Sequence, residues 1–325
     1  MNGPLPDPAG VERFRAGLET LTGPGPGLLG VAVSGGPDSL ALLLLAYAAF
    51  PHQVRAATVD HKLRPESAAE AAFVRDICAG LGIPHTTLAA GDAIAGNVQA
   101  GARALRYRLL AGWAAAEGIG WLLTAHHRDD QAETLLMRLQ RGSGLAGLAG
   151  IRAATEILGL RVARPLLGWS RAELAGLVAA AGMEAVQDPA NRDERYDRAR
   201  LRRRLGEADW IDPAPLARSA QALAEADLAL EWSVERLIEE RVEAAPGGLV
   251  FDPTGIPPEL RRRALLRLFA LLVPADPPRG EAVQRLLATL DAGGTATLAG
   301  VKCKGGPVWR LTPAPPRRKG VTVTI

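Results

Sequence analysis

The chain has 325 residues and a formal net charge of +3, with 38 Lys plus Arg against 35 Asp plus Glu. At 48% hydrophobic and 22% charged residues, it can build a sizeable core in one large or two modest domains, which argues against global disorder. Cys78 and Cys303 make neither a metal pattern nor a Cys-x-x-Cys pair, residues 1–10 lack the features of a signal peptide, and the longest apolar run, Leu40 to Phe50, is too short to span a bilayer. A reduced cytoplasmic protein is expected. Arg outnumbers Lys 34 to 4. That bias fits either genomic base composition or phosphate contact, and its distribution along the chain must decide.

A leading helix is expected over 11–21, with Phe14, Leu18 and Leu21 on one face, broken by Gly23-Pro24-Gly25-Pro26-Gly27. Next comes the stretch on which the reading turns, Val31-Ala32-Val33-Ser34-Gly35-Gly36-Pro37-Asp38-Ser39. It predicts a buried strand, a glycine turn and a helix start, which places free backbone N–H groups at the positive end of a helix dipole. Gly35 and Gly36 allow close approach of a ligand, and Ser34 and Ser39 add hydroxyls. The Asp38 carboxylate would repel a phosphate unless a cation lies between them. Neither a Walker A loop nor a dinucleotide fingerprint is present. Ser-Gly-Gly-x-Asp-Ser instead resembles the pyrophosphate loop of the N-type ATP pyrophosphatases, which cut ATP between the α- and β-phosphates.

Further strands are predicted at Val54–Asp60, His85–Leu88 and Gly120–Ala125, and helices at Ser67–Gly80 and Asn97–Glu117. This alternation predicts an α/β fold with a doubly wound, mostly parallel sheet. Asp60 and His61 stand at a strand's carboxyl end, where such sheets bind ligands. Ala125-His126-His127-Arg128-Asp129-Asp130-Gln131-Ala132-Glu133-Thr134 enters a helix from another strand end. Asp130 and Glu133 are three apart, so they share a helix face. With Asp38 they make a candidate Mg²⁺ set, since Mg²⁺ takes few protein oxygens alongside phosphate oxygens.

Arg141-Gly142-Ser143-Gly144 reads as a mobile basic turn, 151–164 as a hairpin, and Ser170 as the N-cap of a helix stopped by Gly182. From Asp188 to Arg204 lie seven arginines and four acids around Tyr196. That cluster is either a solvated face or a nucleic-acid surface. Past Asp212-Pro213-Ala214-Pro215 the pattern changes to helices without strands: one through Leu216–Val242, then 258–273 and 280–290. A hairpin is expected over Thr295–Thr312, followed by a loose tail with Arg317-Arg318-Lys319. The division read from this is a catalytic domain over 1–212 and a helical domain over 213–325.

With both motifs in place, the chain resembles the tRNA(Ile)-lysidine synthetase family. The likeness is carried by Ser34–Ser39, Val59-Asp60-His61 with Leu63-Arg64, Gln99 with Ala102-Arg103 and Arg106-Tyr107, Ala125–Glu133, and Arg141–Gly144. Asp188-Pro189, Asn191, Tyr196 and Arg198–Arg202 add to it, while Lys62 stands where Gly is usual. The resemblance implies a fold of the ATP-pyrophosphatase type, whose second domain contacts tRNA. It implies that ATP adenylates the C2 oxygen of the wobble cytidine in the tRNA(Ile) bearing a CAU anticodon. The ε-amine of free L-lysine then displaces AMP, and the codon read changes from AUG to AUA. On this reading Ser34, Gly35, Gly36, Pro37, Asp38, Ser39, Asp60, His61, Arg106 and His126 serve ATP. Asp38, Asp130 and Glu133 hold Mg²⁺ and act in catalysis with Arg103, while Arg141, Arg198, Arg200 and Arg202 touch tRNA. His126 and His127 are candidate proton acceptors. A mixed pocket is expected for lysine, with an acid near the ε-amine and an Arg on the α-carboxylate. Neither DNA nor a membrane is implied as a partner, and the oligomeric state is open, a homodimer among the alternatives.

Three rivals share the loop. A tRNA thiolase normally needs paired cysteines, and a glutamine-dependent synthetase needs an amidotransferase. An RNA-binding module that only senses ATP has no use for Asp130 and Glu133 beside the α–β bridge.

Overall fold

The computed structural model describes residues 6–60, 67–89, 98–186, 197–208, 210–273, 278 and 280–314. His61, Lys62, Leu63, Arg64, Asp188, Pro189, Asn191 and Tyr196 of the expected motifs, the Gln99 side chain, and the basic tail lie outside the described residues. Two compact units are present, Met1–Ala224 and Glu225–Ile325.

The first unit begins with α1 (Pro8–Thr22), β1 (Leu29–Ala32), α2 (Pro37–Ala49), β2 (Val54–Asp60), α3 (Ser67–Leu81), β3 (His85–Ala89), α4 (Val98–Glu117) and β4 (Trp121–Leu123). It continues through α5 (Arg128–Gln140), α6 (Leu145–Leu148), β5 (Ala154–Ile157), β6 (Leu160–Ala163), α7 (Arg171–Ala180), α8 (Asp197–Glu207) and the start of α9 (Pro213–Arg241). The sheet order is β3-β2-β1-β4-β6-β5, with every pairing parallel except β5 on β6. From β1 the chain winds outward through β2 to β3, then crosses back to β4 on the other flank of β1. That reversal opens a crevice at the carboxyl ends of β1 and β4, the usual ligand site of such sheets.

Both faces of the sheet are covered, so its central strands carry apolar runs instead of strict alternation. Phe14 and Leu18 of α1, Leu40, Leu42, Leu43 and Leu45 of α2 and Leu174 and Val178 of α7 pack with Leu29, Val31 and Leu123. Tyr107, Leu110 and Trp113 of α4 pack with Ala57, Leu122 and Val162. Helix α2 has an apolar surface nearly all round because α1, α7 and the sheet enclose it.

The second unit corrects the expectation of helices without strands. After α9 come β7 (Val242–Ala245), β8 (Gly248–Phe251), α10 (Pro258–Leu272), α11 (Glu281–Asp291), β9 (Thr295–Leu298), β10 (Val301–Lys304) and β11 (Trp309–Pro313). The expected terminal hairpin is three strands of a five-stranded antiparallel sheet ordered β7-β8-β11-β10-β9. Phe251, Trp309, Leu268, Phe269 and Leu286 form its core, with Phe251 and Trp309 edge to face at 5.6 Å. The buried Arg263 guanidinium is matched by Asp227, Glu231 and Glu259, which offsets the cost of removing a charge from water.

Candidate functional site

The glycine loop follows β1 at the crevice. Gly35 has φ +84, a left-handed conformation that disfavours any side chain, and a Cβ there would meet Val186 at 3.3 Å. Its carbonyl accepts from the Val186 amide at 3.0 Å. Ser39 staples the turn: its Oγ accepts from the Ser34 amide at 3.1 Å and donates to the Gly36 carbonyl at 3.0 Å. Its one hydroxyl hydrogen is therefore spent inside the loop, whereas Ser34 is exposed. Pro37 opens α2, where its missing N–H costs nothing. Asp38 lies in the first turn, with one carboxylate oxygen buried and without a hydrogen-bond partner.

Across the crevice, β4 leads into α5. His127 caps that helix and is 1% exposed. Its Nε2 lies 3.5 Å from Asp38 Oδ2 and 3.5 Å from Asp130 Oδ2, and its Nδ1 lies 3.6 Å from Asp129 Oδ2. Burial alone would push this imidazole down in pKa. The Asp129 and Asp38 carboxylates, with Asp130, outweigh burial and raise it to about 9. His127 Nδ1 also accepts the Asp130 amide at 3.4 Å as the cap of α5. Asp129, which also accepts from the Arg171 amide at 3.0 Å, is held far below the usual carboxylate range, chiefly by His127.

Asp38 and Asp130 therefore converge on one point from the ends of two neighbouring strands, although they are 92 positions apart in the chain. Glu133 does not join them. It is 2% exposed and takes Arg171 at 3.0 Å, Arg198 at 2.9 Å, and Arg202 at 2.8 and 3.1 Å. Burial favours its neutral form, yet Arg202 and Arg198 outweigh that and lower its pKa. Among the described residues no group of three or more His, Cys, Asp or Glu is arranged to hold a metal. The donor set that fits a hard cation is the Asp38–Asp130 pair, which leaves most coordination positions to phosphate and water, as Mg²⁺ favours. Asp60 ends β2 on the same sheet edge and is 9% exposed.

The expected tRNA arginines divide in two. Arg198 and Arg202 turn inward onto Asp130 and Glu133. Arg141 and Arg200 meet at the first residue of α8, where both pair with Asp197. Arg103 and His126 line an arginine-rich pocket with Arg164, and Arg106 acts on His126 from nearby. There burial, then Arg164, Arg106, Arg198 and Arg103, press the His126 pKa down to about 3. His126 is neutral, with Nδ1 3.0 Å from the Thr124 hydroxyl.

Four residues were missed from sequence. Arg171 and Asp129 fix Glu133 and His127, and only a spatial neighbour reveals this. Gln131 grips both backbone atoms of Ile151, donating to its carbonyl at 2.8 Å and accepting from its amide at 2.6 Å. Arg164 precedes Pro165 in an apolar stretch, and nothing local marks its burial. Both thiols are buried, and burial pushes each up to about 12. Neither is therefore a nucleophile at neutral pH. No helix among the described residues is long and apolar enough to cross a membrane.

Residues 14–208 match the PP-loop domain family model. The chain is 49% identical over 313 residues to a tRNA(Ile)-lysidine synthase of Novosphingobium aromaticivorans, covering 95% of each chain. It is 45% identical over 307 residues to the tRNA(Ile)-lysidine synthase of Zymomonas mobilis, covering 93% of each. Among solved structures, the U34-tRNA thiolase NcsA of Methanococcus maripaludis is similar in fold, with TM-score 0.53 and 16% identity, over 66% of this chain and 79% of that one.

Proposed function

The chain belongs to the tRNA(Ile)-lysidine synthase family, and we propose that its crevice joins free L-lysine to the wobble cytidine of a tRNA bearing CAU. It is an ATP-using ligase that modifies tRNA. The observation that carries the finer reading is the meeting of Asp38 and Asp130 beside the glycine loop, each 3.5 Å from His127 Nε2.

In the first half-reaction the C2 oxygen of the cytidine attacks the α-phosphorus, and pyrophosphate leaves. Backbone N–H groups of Gly35, Gly36, Asp38 and Ser39, at the start of α2, hold the departing phosphates. Mg²⁺ on Asp38 and Asp130 would supply charge neutralisation at the phosphoryl oxygens. Asp60 lies where an α/β sheet contacts the nucleotide. In the second half-reaction the lysine ε-amine attacks C2, and AMP leaves as the C2–N bond forms. The ammonium has a reference pKa of about 10.4, so it must first lose a proton. His126, pressed down in pKa to about 3 by burial and its arginines, is a weak acceptor for that proton. Glu133 stays paired and positions Arg198 and Arg202, while Arg141 and Arg200 remain at the surface for tRNA phosphates.

The test uses ATP, Mg²⁺, labelled lysine and tRNA with a CAU anticodon. Label enters at position 34, one AMP forms per lysine joined, and a tRNA with uridine at that position takes up none. ADP as the main product, or label in the uridine substrate, refutes the proposal.

A further inference from the structure

Strands β5 and β6 form a hairpin on the open edge of the first sheet, closed by the pair Ile157 and Leu160. Both residues of its turn have a left-handed backbone, Leu158 at φ +53 and Gly159 at φ +76. That is the pattern of a type I′ turn, whose first position favours Asn, Asp or Gly. A leucine there is strained, because its Cβ crowds the following carbonyl. Burial is what usually compensates a bulky apolar residue, and Leu158 has none. It is 66% exposed and belongs to none of the cores formed by the described residues. A single exposed leucine is ordinary. A leucine exposed at a strained position, where a polar residue would fold better, is a feature that stability does not explain.

The tip of this hairpin stands beside the reaction. Thr155 and Ile157, on one face of β5, line a cavity of about 510 Å³ together with His126 and Arg198. Arg198 reaches Asp130 at 3.3 Å, so the cavity borders the carboxylates at the glycine loop. Leu158 follows Ile157 directly and stands at the rim. For the C2 oxygen of the cytidine to reach the α-phosphorus, the base must leave the stack of its loop. In a CAU anticodon the 3′ neighbour it leaves is an adenine, a purine with a large stacking face. An apolar side chain in the vacated place keeps the cytidine from falling back, as leucine and other apolar wedges do between base steps. A protein partner fits poorly. Glu156 and Arg161, opposite each other in the hairpin, are both exposed, and one leucine offers far less than the ~800 Å² per partner of a stable protein interface.

We propose that Leu158, at the tip of the β5–β6 hairpin, is a wedge that packs on the adenine next to the wobble cytidine and holds the cytidine out of its stack. This rests on the lysine-transfer reading above. Leu158 touches no reacting atom and is a positioning residue. The hairpin that carries it is braced: the Arg161 guanidinium lies 4.9 Å over the Trp121 ring, and its Nε donates to the Gly120 carbonyl at 3.2 Å.

The experiment uses the whole protein and a tRNA bearing CAU, with 2-aminopurine in place of that adenine for the fluorescence readings. Leu158→Asn puts at the tip a residue the turn favours. It shifts the unfolding equilibrium about threefold or more toward the folded state, yet lowers kcat for lysine transfer about 10-fold. The tRNA Kd stays within about threefold, since phosphate contacts dominate it, and the KM values for ATP and lysine are unchanged. In the unaltered protein the 2-aminopurine brightens on binding, because it loses its stacked neighbour; in Leu158→Asn roughly half or more of that rise is lost. Leu158→Met, which keeps an apolar wedge, restores both kcat and the rise. A merely structural leucine would give instead a less stable Asn variant with its fluorescence rise intact. A kcat within about twofold of the unaltered protein, or a rise that persists in Leu158→Asn, overturns the inference. A weaker tRNA Kd with kcat and the rise intact also overturns it and makes the tip a plain RNA contact. If the unaltered protein joins no lysine to the tRNA, the function reading fails, and the inference with it.

Discussion

Glu133→Gln removes one negative charge from beneath three guanidiniums, and the structure says which element will respond. Three of the four hydrogen bonds to Glu133 come from α8, one from Arg198 and two from Arg202. Helix α8 has no buried residue of its own, so these bonds, with the Arg198 contacts to Asp130 and Thr134, hold it on α5. Buried, such charge-assisted bonds would contribute about 1.5–3 kcal/mol each. The two guanidiniums are 42% and 29% exposed, and solvent screening reduces this to about 0.7–1 kcal/mol each. Three of them sum to about 2–3 kcal/mol, a shift of about 30- to 150-fold in the docking equilibrium of α8. Amide hydrogen exchange reads this directly: protection of residues 199–207 falls by that factor, while β1 and α2 keep theirs. The pH dependence follows the lowered Glu133 carboxyl. Its contribution is fully present above the usual Glu range and is lost only as pH falls through the depressed folded value. Exchange in α8 that stays within about threefold of the unaltered protein would refute this account of how the helix is held.

Asp130→Asn should slow tRNA-dependent pyrophosphate release by about 10²-fold with the circular dichroism spectrum unchanged; release at the original rate removes Asp130 from the phosphate site. Gly150→Ala places a Cβ 2.4 Å from Gln131 Oε1 at φ +67 and should cost about 2 kcal/mol or more in denaturant unfolding. Part of that loss should return in the Gly150→Ala/Gln131→Ala pair, and strict additivity would mean the two do not touch. Glu173 is drawn down to about 2, because the Ser170 amide and hydroxyl and the Arg13 guanidinium outweigh burial. Its stabilisation is present above the ordinary Glu pKa and lost as pH falls towards 2, so acid unfolding curves of Glu173→Gln and the unaltered protein should converge there. Arg204→Ala, on the exposed side of α8, should lower the log–log salt slope of tRNA binding by about 0.7–0.9; an unchanged slope makes that side of the helix plain solvent surface.

The elements that carry chemistry were legible because each is written in a few adjacent residues. Ser34 to Ser39 specify a strand end, a left-handed glycine and a proline-opened helix, all decided within one turn of chain. Ser170 and Glu173 likewise form the capping box expected from their spacing. The parallel sheet followed from apolar runs at regular intervals. The second sheet left little trace, since β7 and β9 are four residues long and mostly uncovered, and short half-exposed strands show no firm period of two. Charge partnership was beyond reach for a related reason. Asp130 and Glu133 share a helix face, and that much is local. That Asp130 reaches Asp38 across His127, while both acids take Arg198 and Arg202 and Glu133 also takes Arg171, depends on groups 38 to 92 positions away in the chain. The same holds for Arg164, whose neighbours are Tyr107 of α4 and the Arg152 carbonyl ahead of β5. Local sequence determined the loop, the caps and the order of elements. The tertiary fold decided which carboxylates face a phosphate and which arginines are left without an acid, because in the interior those choices follow distance in space.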